Sequence, residues 1–123
     1  MKKVVVTGST GFIGSSLVKE LISSQYYVYA VTRPSSKNIN KLSGLNNCIV
    51  IELDMNSIKD ICNILKDVNI EYFFHMAWEG VSGKAHTDYI AQLKNVKYSV
   101  DCVKAAKELG CKRFIGAGSL HET

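Results

Sequence analysis

The chain alternates short continuous apolar runs with longer stripes of helical period. The first run, Val4-Val5-Val6, has the character of a strand buried on both faces. It breaks into Gly8, Gly11 and Gly14 at three-residue spacing. From Phe12 onward Ile13, Leu17, Val18, Leu21 and Ile22 fall on one helical face. The pattern predicts a strand over about 3–7 and a helix over about 12–24. Tyr27-Val28-Tyr29-Ala30-Val31-Thr32 reads as a second strand, ended by Arg33-Pro34. The polar, asparagine-rich stretch that follows supports at most a short helix near Ile39 to Leu42. Cys48 to Leu53 is a third strand. A helix capped by Asn56 or Ser57 then presents Ile58, Ile61, Cys62 and Leu65. Ile70 to Met76 is a fourth strand. A long helix runs from about Asp88 to Leu109, with Tyr89, Leu93, Val96, Val100, Val103 and Ala106 on one face and Gly110 as its stop. Lys112 to Ile115 is a fifth strand.

Strands joined by crossovers of helical length form right-handed βαβ units and a parallel sheet. The expected fold is therefore α/β, a Rossmann-like doubly wound parallel sheet of strand order 3-2-1-4-5, with residues 1–123 as one domain. The ligand crevice of such a sheet lies at the switch between strands one and four.

The strand, glycine turn and helix at the start of the chain make a phosphate cradle. Gly8 allows a sharp turn, Gly11 lets backbone N–H groups approach a pyrophosphate, and Gly14 lets the helix pack closely on the strand. No Lys-Ser or Lys-Thr pair follows, so it is not a P-loop. The spacing is G-x-x-G-x-x-G rather than G-x-G-x-x-G. Thr7-Gly8-Ser9-Thr10-Gly11-Phe12-Ile13-Gly14 resembles the TGxTGFIG signature of extended short-chain dehydrogenases/reductases, the NAD-dependent epimerase/dehydratase family.

The resemblance extends through later segments and implies a cofactor-binding set. It includes Gly8, Thr10, Gly11, Phe12, Ile13 and Gly14 from the turn. At the end of strand two the family's acidic ribose-binding position falls on Thr32, followed by Arg33. An arginine without an acid favours the 2′-phosphate of NADP, with NAD the alternative. Asp54-Met55 resembles the pair that holds and covers the adenine, although an acid here would also suit a helix N-terminus. His75-Met76-Ala77-Trp78 resembles the family's HxAA segment, in which the backbone passes close to the cofactor. Ala77 fits, Trp78 departs from the usual alanine, and His75 is expected to be a packing residue. Asn95-Val96 resembles the pair whose asparagine braces strand four. Ser119 matches the catalytic Ser/Thr that hydrogen-bonds the reacting group of the substrate.

Other features narrow the reading. The formal net charge of +4 is spread over scattered lysines, which excludes an obvious nucleic-acid patch. No apolar run approaches a membrane span, and the polar residues from Thr7 interrupt any signal-peptide pattern. Cys48, Cys62, Cys102 and Cys111 lack C-x-x-C spacing. They are expected to be free thiols rather than a metal site or disulfide framework, consistent with a cytoplasmic location.

The family's catalytic Tyr-x-x-x-Lys pair is not found, since none of the six tyrosines has a lysine four residues on. The resemblance thus implies the NAD(P)-binding part of a nucleotide-sugar epimerase, dehydratase or reductase, truncated after strand five and without turnover as a 123-residue chain. The alternative is a stand-alone, non-catalytic NAD(P)-binding sensor or regulatory module. A homo-oligomer is expected, through the strand-five edge at Phe114 and Ile115, through the long helix, or through both.

Overall fold

The computed structural model describes residues 1–34, 36, 38–42, 44–77 and 89–116. Five parallel strands stand in the order β3-β2-β1-β4-β5. They are β1 (Lys3–Thr7), β2 (Tyr27–Thr32), β3 (Cys48–Glu52), β4 (Ile70–His75) and β5 (Arg113–Gly116). Helix α1 (Phe12–Ser23) joins the first two strands. A 3₁₀ turn at Ile39–Lys41 lies between β2 and β3. A second, at Met55–Asp60, runs into the short helix α2 (Ile61–Ile64) before β4. Helix α3 (Tyr89–Glu108) precedes β5.

Strand periodicity divides the core into two layers. Val5 is level with Tyr29 on β2 and Phe73 on β4, and these pack with Ile58, Ile61 and Cys102 beneath α2 and α3. Val4, Val6, Val28 and Ala30 point to the other face and pack against Val18 and Leu21 of α1. Both faces of β1 are thus dry, as its unbroken valine run requires.

Two local expectations change. The third predicted helix is mostly 3₁₀, with Ser57 at non-helical angles (φ −110, ψ 18). Its cap is Asp54 rather than Asn56 or Ser57. Asp54 is extended, and its carboxylate accepts the Asn56 backbone N–H at 2.8 Å. The long helix also turns another side to the sheet. Leu93, Val96, Val100 and Val103 are 69, 58, 46 and 46% exposed, whereas Asn95, Tyr98, Cys102, Ala105 and Ala106 are buried. The small residues of the second stripe allow close packing, which a stripe of Leu and Val would hold off. Of the predicted face only Ala106 is buried; the side chain of Tyr89 lies outside the described residues. Gly110, at φ +75, ends the helix as expected, and the Cys111 N–H bonds back to Ala106.

His75, level with Thr7 at the end of β4, is 2% exposed and lies beside Cys102 and Phe114. Burial pushes its pKa down from 6.5 to about 4. The unfolded chain therefore takes up this proton near pH 6.5 and the folded chain only near 4. Stability should be level above that window and fall by about 3 kcal/mol as pH drops through it. Asp101, held below its ordinary 3.8 mainly by its hydrogen bond from Lys97, adds its own loss below the window. Denaturant unfolding between pH 7.5 and 4 measures the fall. His75→Asn should flatten it, and an equal fall in both proteins would refute the assignment.

Candidate functional site

The crevice forms where the carboxyl ends of β1, β2 and β4 meet the start of α1. Thr7 and Ser9 are fully buried there. The Ser9 hydroxyl donates to the Val6 carbonyl at 2.6 Å, and the Ser9 N–H donates to Val31 at 3.1 Å, tying the glycine turn to its own strand and to β2. The Thr7 hydroxyl accepts the backbone N–H groups of Met76 (3.0 Å) and Ala77 (3.2 Å), tying β1 to the end of β4.

The three glycines have different reasons to be glycine. Gly8 is at φ +64, and a Cβ there would come within 2.7 Å of the Ala77 nitrogen. A Cβ on Gly14 would collide with the Gly8 carbonyl oxygen. Both are demanded by the fold itself. Gly11 is not: its φ is −71, and among the described residues a Cβ would meet only the Gly8 oxygen, at 3.4 Å, an ordinary contact. It is the N-cap of α1, with no side-chain capping bond and no acid in the first turn. The first-turn amides of such a helix have no intrahelical acceptors and carry the positive end of the dipole. Space held open over a helix start suits a phosphate. The residues present fit a dinucleotide pyrophosphate on this ground. Phe12 and Ile13, directly after this position, are 86% and 65% exposed.

At the end of β2 the Thr10 hydroxyl lies 3.0 Å from that of Thr32 and 3.1 Å from that of Ser36. Lys41, from the first 3₁₀ turn, reaches the Thr10 carbonyl at 3.5 Å, and Arg33 is exposed beside the buried Thr32. Ser36 and Lys41 escape a sequence reading because they lie beyond the motif, in a polar loop of no clear period. Their neighbourhood to Thr10 exists only once the loop folds back over the turn.

Asp54 and Met55 follow β3. Asp54 is exposed and serves as cap, while Met55 is partly buried against the core. One capping bond leaves a carboxylate able to accept others. Met76 and Ala77 are half-buried at the crevice, and Asn95 is 1% exposed on α3. Trp78 and Ser119 lie outside the described residues. The thiols are inert in character: burial pushes Cys62 and Cys102 up to about 12 and Cys111 to about 11. Among the described residues no cluster of metal-ligating side chains occurs, and no helix is long and apolar enough to cross a membrane.

Comparison with known proteins agrees with this geometry. The chain is 29% identical over 119 residues to the dTDP-6-deoxy-L-talose 4-dehydrogenase (NAD(+)) of Aggregatibacter actinomycetemcomitans, covering 97% of this chain and 42% of that protein. The UDP-glucose 4-epimerase of Thermotoga maritima, solved with UDP-glucose, superposes with a TM-score of 0.74 at 27% identity over 93% of this chain and 37% of its own. MoeE5 in complex with UDP-glucose and NAD gives 0.76 at 29% identity over 96% of this chain and 36% of its own. This chain therefore spans about two fifths of the length of such relatives. The NAD dependent epimerase/dehydratase family model matches residues 4–123, and with the glycine turn, sheet order and crevice in agreement, the chain belongs to that family.

Proposed function

We propose that residues 1–123 are the dinucleotide-binding part of a nucleotide-sugar epimerase, dehydratase or reductase, and that the cofactor preferred is NADP. The observation that carries the binding role is Gly11: a glycine that neither φ nor packing requires, at an uncapped helix start. The family relatives act on or bind dTDP- and UDP-sugars, which supports the substrate class. When bound, the nicotinamide supplies hydride transfer to or from a sugar carbon. The chain's own residues seat it. The amides of the first turn of α1 take the pyrophosphate, Asp54 and Met55 the adenine, and the small Ala77 lets its backbone pass close to the cofactor. Asn95 braces the end of β4, and Ser119 hydrogen-bonds the reacting sugar oxygen.

The NADP preference departs from the NAD named for two of these relatives. It rests on the end of β2, where the position for an acid is Thr32, Arg33 follows it exposed, and Lys41 reaches the Thr10 carbonyl beside the hydroxyls of Thr10, Thr32 and Ser36. A dianionic 2′-phosphate suits such a seat, whereas a ribose diol gains little from two cations. Calorimetric titration should give tighter NADP than NAD. Arg33→Ala and Lys41→Ala should each weaken NADP about tenfold and leave NAD nearly unchanged. Equal or tighter binding of NAD by wild type would refute the preference. With no Tyr-x-x-x-Lys in its 123 residues, the purified chain should bind without converting nucleotide sugars.

The glycines separate fold from ligand. Gly11→Val should unfold near the wild-type midpoint and lose dinucleotide binding. Gly14→Ala should lose stability itself, seen as a lower thermal midpoint without ligand. A folded Gly11→Val chain with wild-type affinity would contradict the cradle.

Association is the third part of the proposal. The exposed stripe Leu93, Val96, Val100 and Val103 runs along α3 at helical spacing, and an apolar face of this kind suits a second copy of the chain. The β5 edge is a weaker candidate, since Phe114 stacks on Phe73 with ring centroids 5.7 Å apart and belongs to the core, leaving Ile115 at 38% exposure. Light scattering over a dilution series should show a dimer or larger species for wild type and a monomer for Val96→Glu/Val100→Glu. A wild-type monomer at every concentration would reject it.

A further inference from the structure

The Thr7 hydroxyl has one proton to give and two lone pairs to accept with. Met76 N–H at 3.0 Å and Ala77 N–H at 3.2 Å occupy the acceptor side. Among the described residues its remaining polar neighbour is Nδ1 of His75, at 2.8 Å, in a buried contact between residues level on β1 and β4. The hydroxyl hydrogen must then go to Nδ1, which is the bare nitrogen of the ring, and Nε2 carries the hydrogen. Cys102 approaches the same Nδ1, with Sγ at 3.4 Å. Burial keeps that sulfur a thiol, so no thiolate draws a proton onto Nδ1. Among the described residues Nε2 is buried and has no partner, so it favours neither tautomer and the contacts at Nδ1 decide.

The consequence reaches the crevice. A hydrogen on Nδ1, whether by tautomer change or by protonation, would point at the Thr7 oxygen and need one of its two acceptor sites. Met76 or Ala77 would then be released. These residues make the wall against which Gly8 packs so closely that a Cβ would lie 2.7 Å from the Ala77 nitrogen and 2.8 Å from the Met76 carbonyl carbon. We propose that His75 is a positioning residue for the dinucleotide: locked as the Nε2–H tautomer, it aims the Thr7 hydroxyl so that Thr7 clamps the Met76–Ala77 backbone beside the glycine turn. This rests on the dinucleotide reading above. It assigns His75 no contact with cofactor or substrate and no proton transfer.

Long-range nitrogen–proton correlation spectra of the ¹⁵N-labelled chain read the tautomer directly. The expected result is a bare Nδ1 and protonated Nε2 at pH 7, still neutral at pH 5. The clamp is read from the Met76 and Ala77 amide shifts and from dinucleotide affinity. Thr7→Val should move those amides and weaken binding about tenfold, and Thr7→Ser should restore both. A protonated Nδ1 in the wild type would overturn the inference whether or not any variant folds. A folded Thr7→Val chain that lost stability but kept wild-type affinity would also overturn it, since that is what a merely structural hydrogen bond predicts. Wild type that bound neither dinucleotide would instead overturn the functional reading and, with it, the cofactor role of the clamp.

Discussion

The contact between the first glycine turn and the end of β4 is the constraint on which the crevice depends. Parallel strands joined by helices leave a gap where the order reverses, here between β1 and β4. Two backbones must run close together at the bottom of that gap, with their polar groups out of water and satisfied. Gly8 removes the side chain that would hold them apart, and the Thr7 hydroxyl supplies the acceptor for the two β4 amides. Gly14 then lets α1 settle onto the turn. Those choices place an uncapped helix start at the mouth of the crevice.

Ligand chemistry enters only after these demands are met. Gly8 and Gly14 are explained without any ligand, so they say little about binding. Gly11, with ordinary backbone angles and, among the described residues, no contact that a Cβ would make too close, is the position that the fold leaves unexplained. The polar cluster at the end of β2 has a similar character. The hydroxyl of Thr10 meets those of Thr32 and Ser36, Lys41 reaches the Thr10 carbonyl, and Arg33 is exposed next to Thr32 in the chain. On the proposed reading, backbone amides at the start of α1 take one anion and side chains at the end of β2 take another.

The strands, their order and the glycine turn were legible in the sequence because each is set by local pattern: a valine run, a β-branched and aromatic run, glycines at fixed spacing. Other features were not. The long helix carries two apolar stripes, and sequence period alone favours Leu93, Val96, Val100 and Val103, whereas Cys102 and Ala105 meet the sheet together with Ala106, the one shared residue. The stripe that meets the sheet carries the smaller side chains, which let the helix approach its strands closely. The helix after β3 starts earlier than its expected caps, Asn56 or Ser57, because Asp54, an acid that suits a helix N-terminus as well as an adenine contact, takes the capping bond. Lys41 and Ser36 were invisible because a polar loop gives no period from which to infer what it folds against. His75 was expected to pack, and it does, but its bond to Thr7 requires the register between β1 and β4.

If a dinucleotide's pyrophosphate sits over Gly11 at the start of α1, titration of the ¹⁵N-labelled chain with NADP will move the backbone amides there. The expected shifts are saturable and largest at Gly11, Phe12, Ile13 and Gly14, with smaller ones at Met76 and Ala77. Saturable shifts centred elsewhere on the sheet, with the amides of residues 11–14 unmoved, would contradict it.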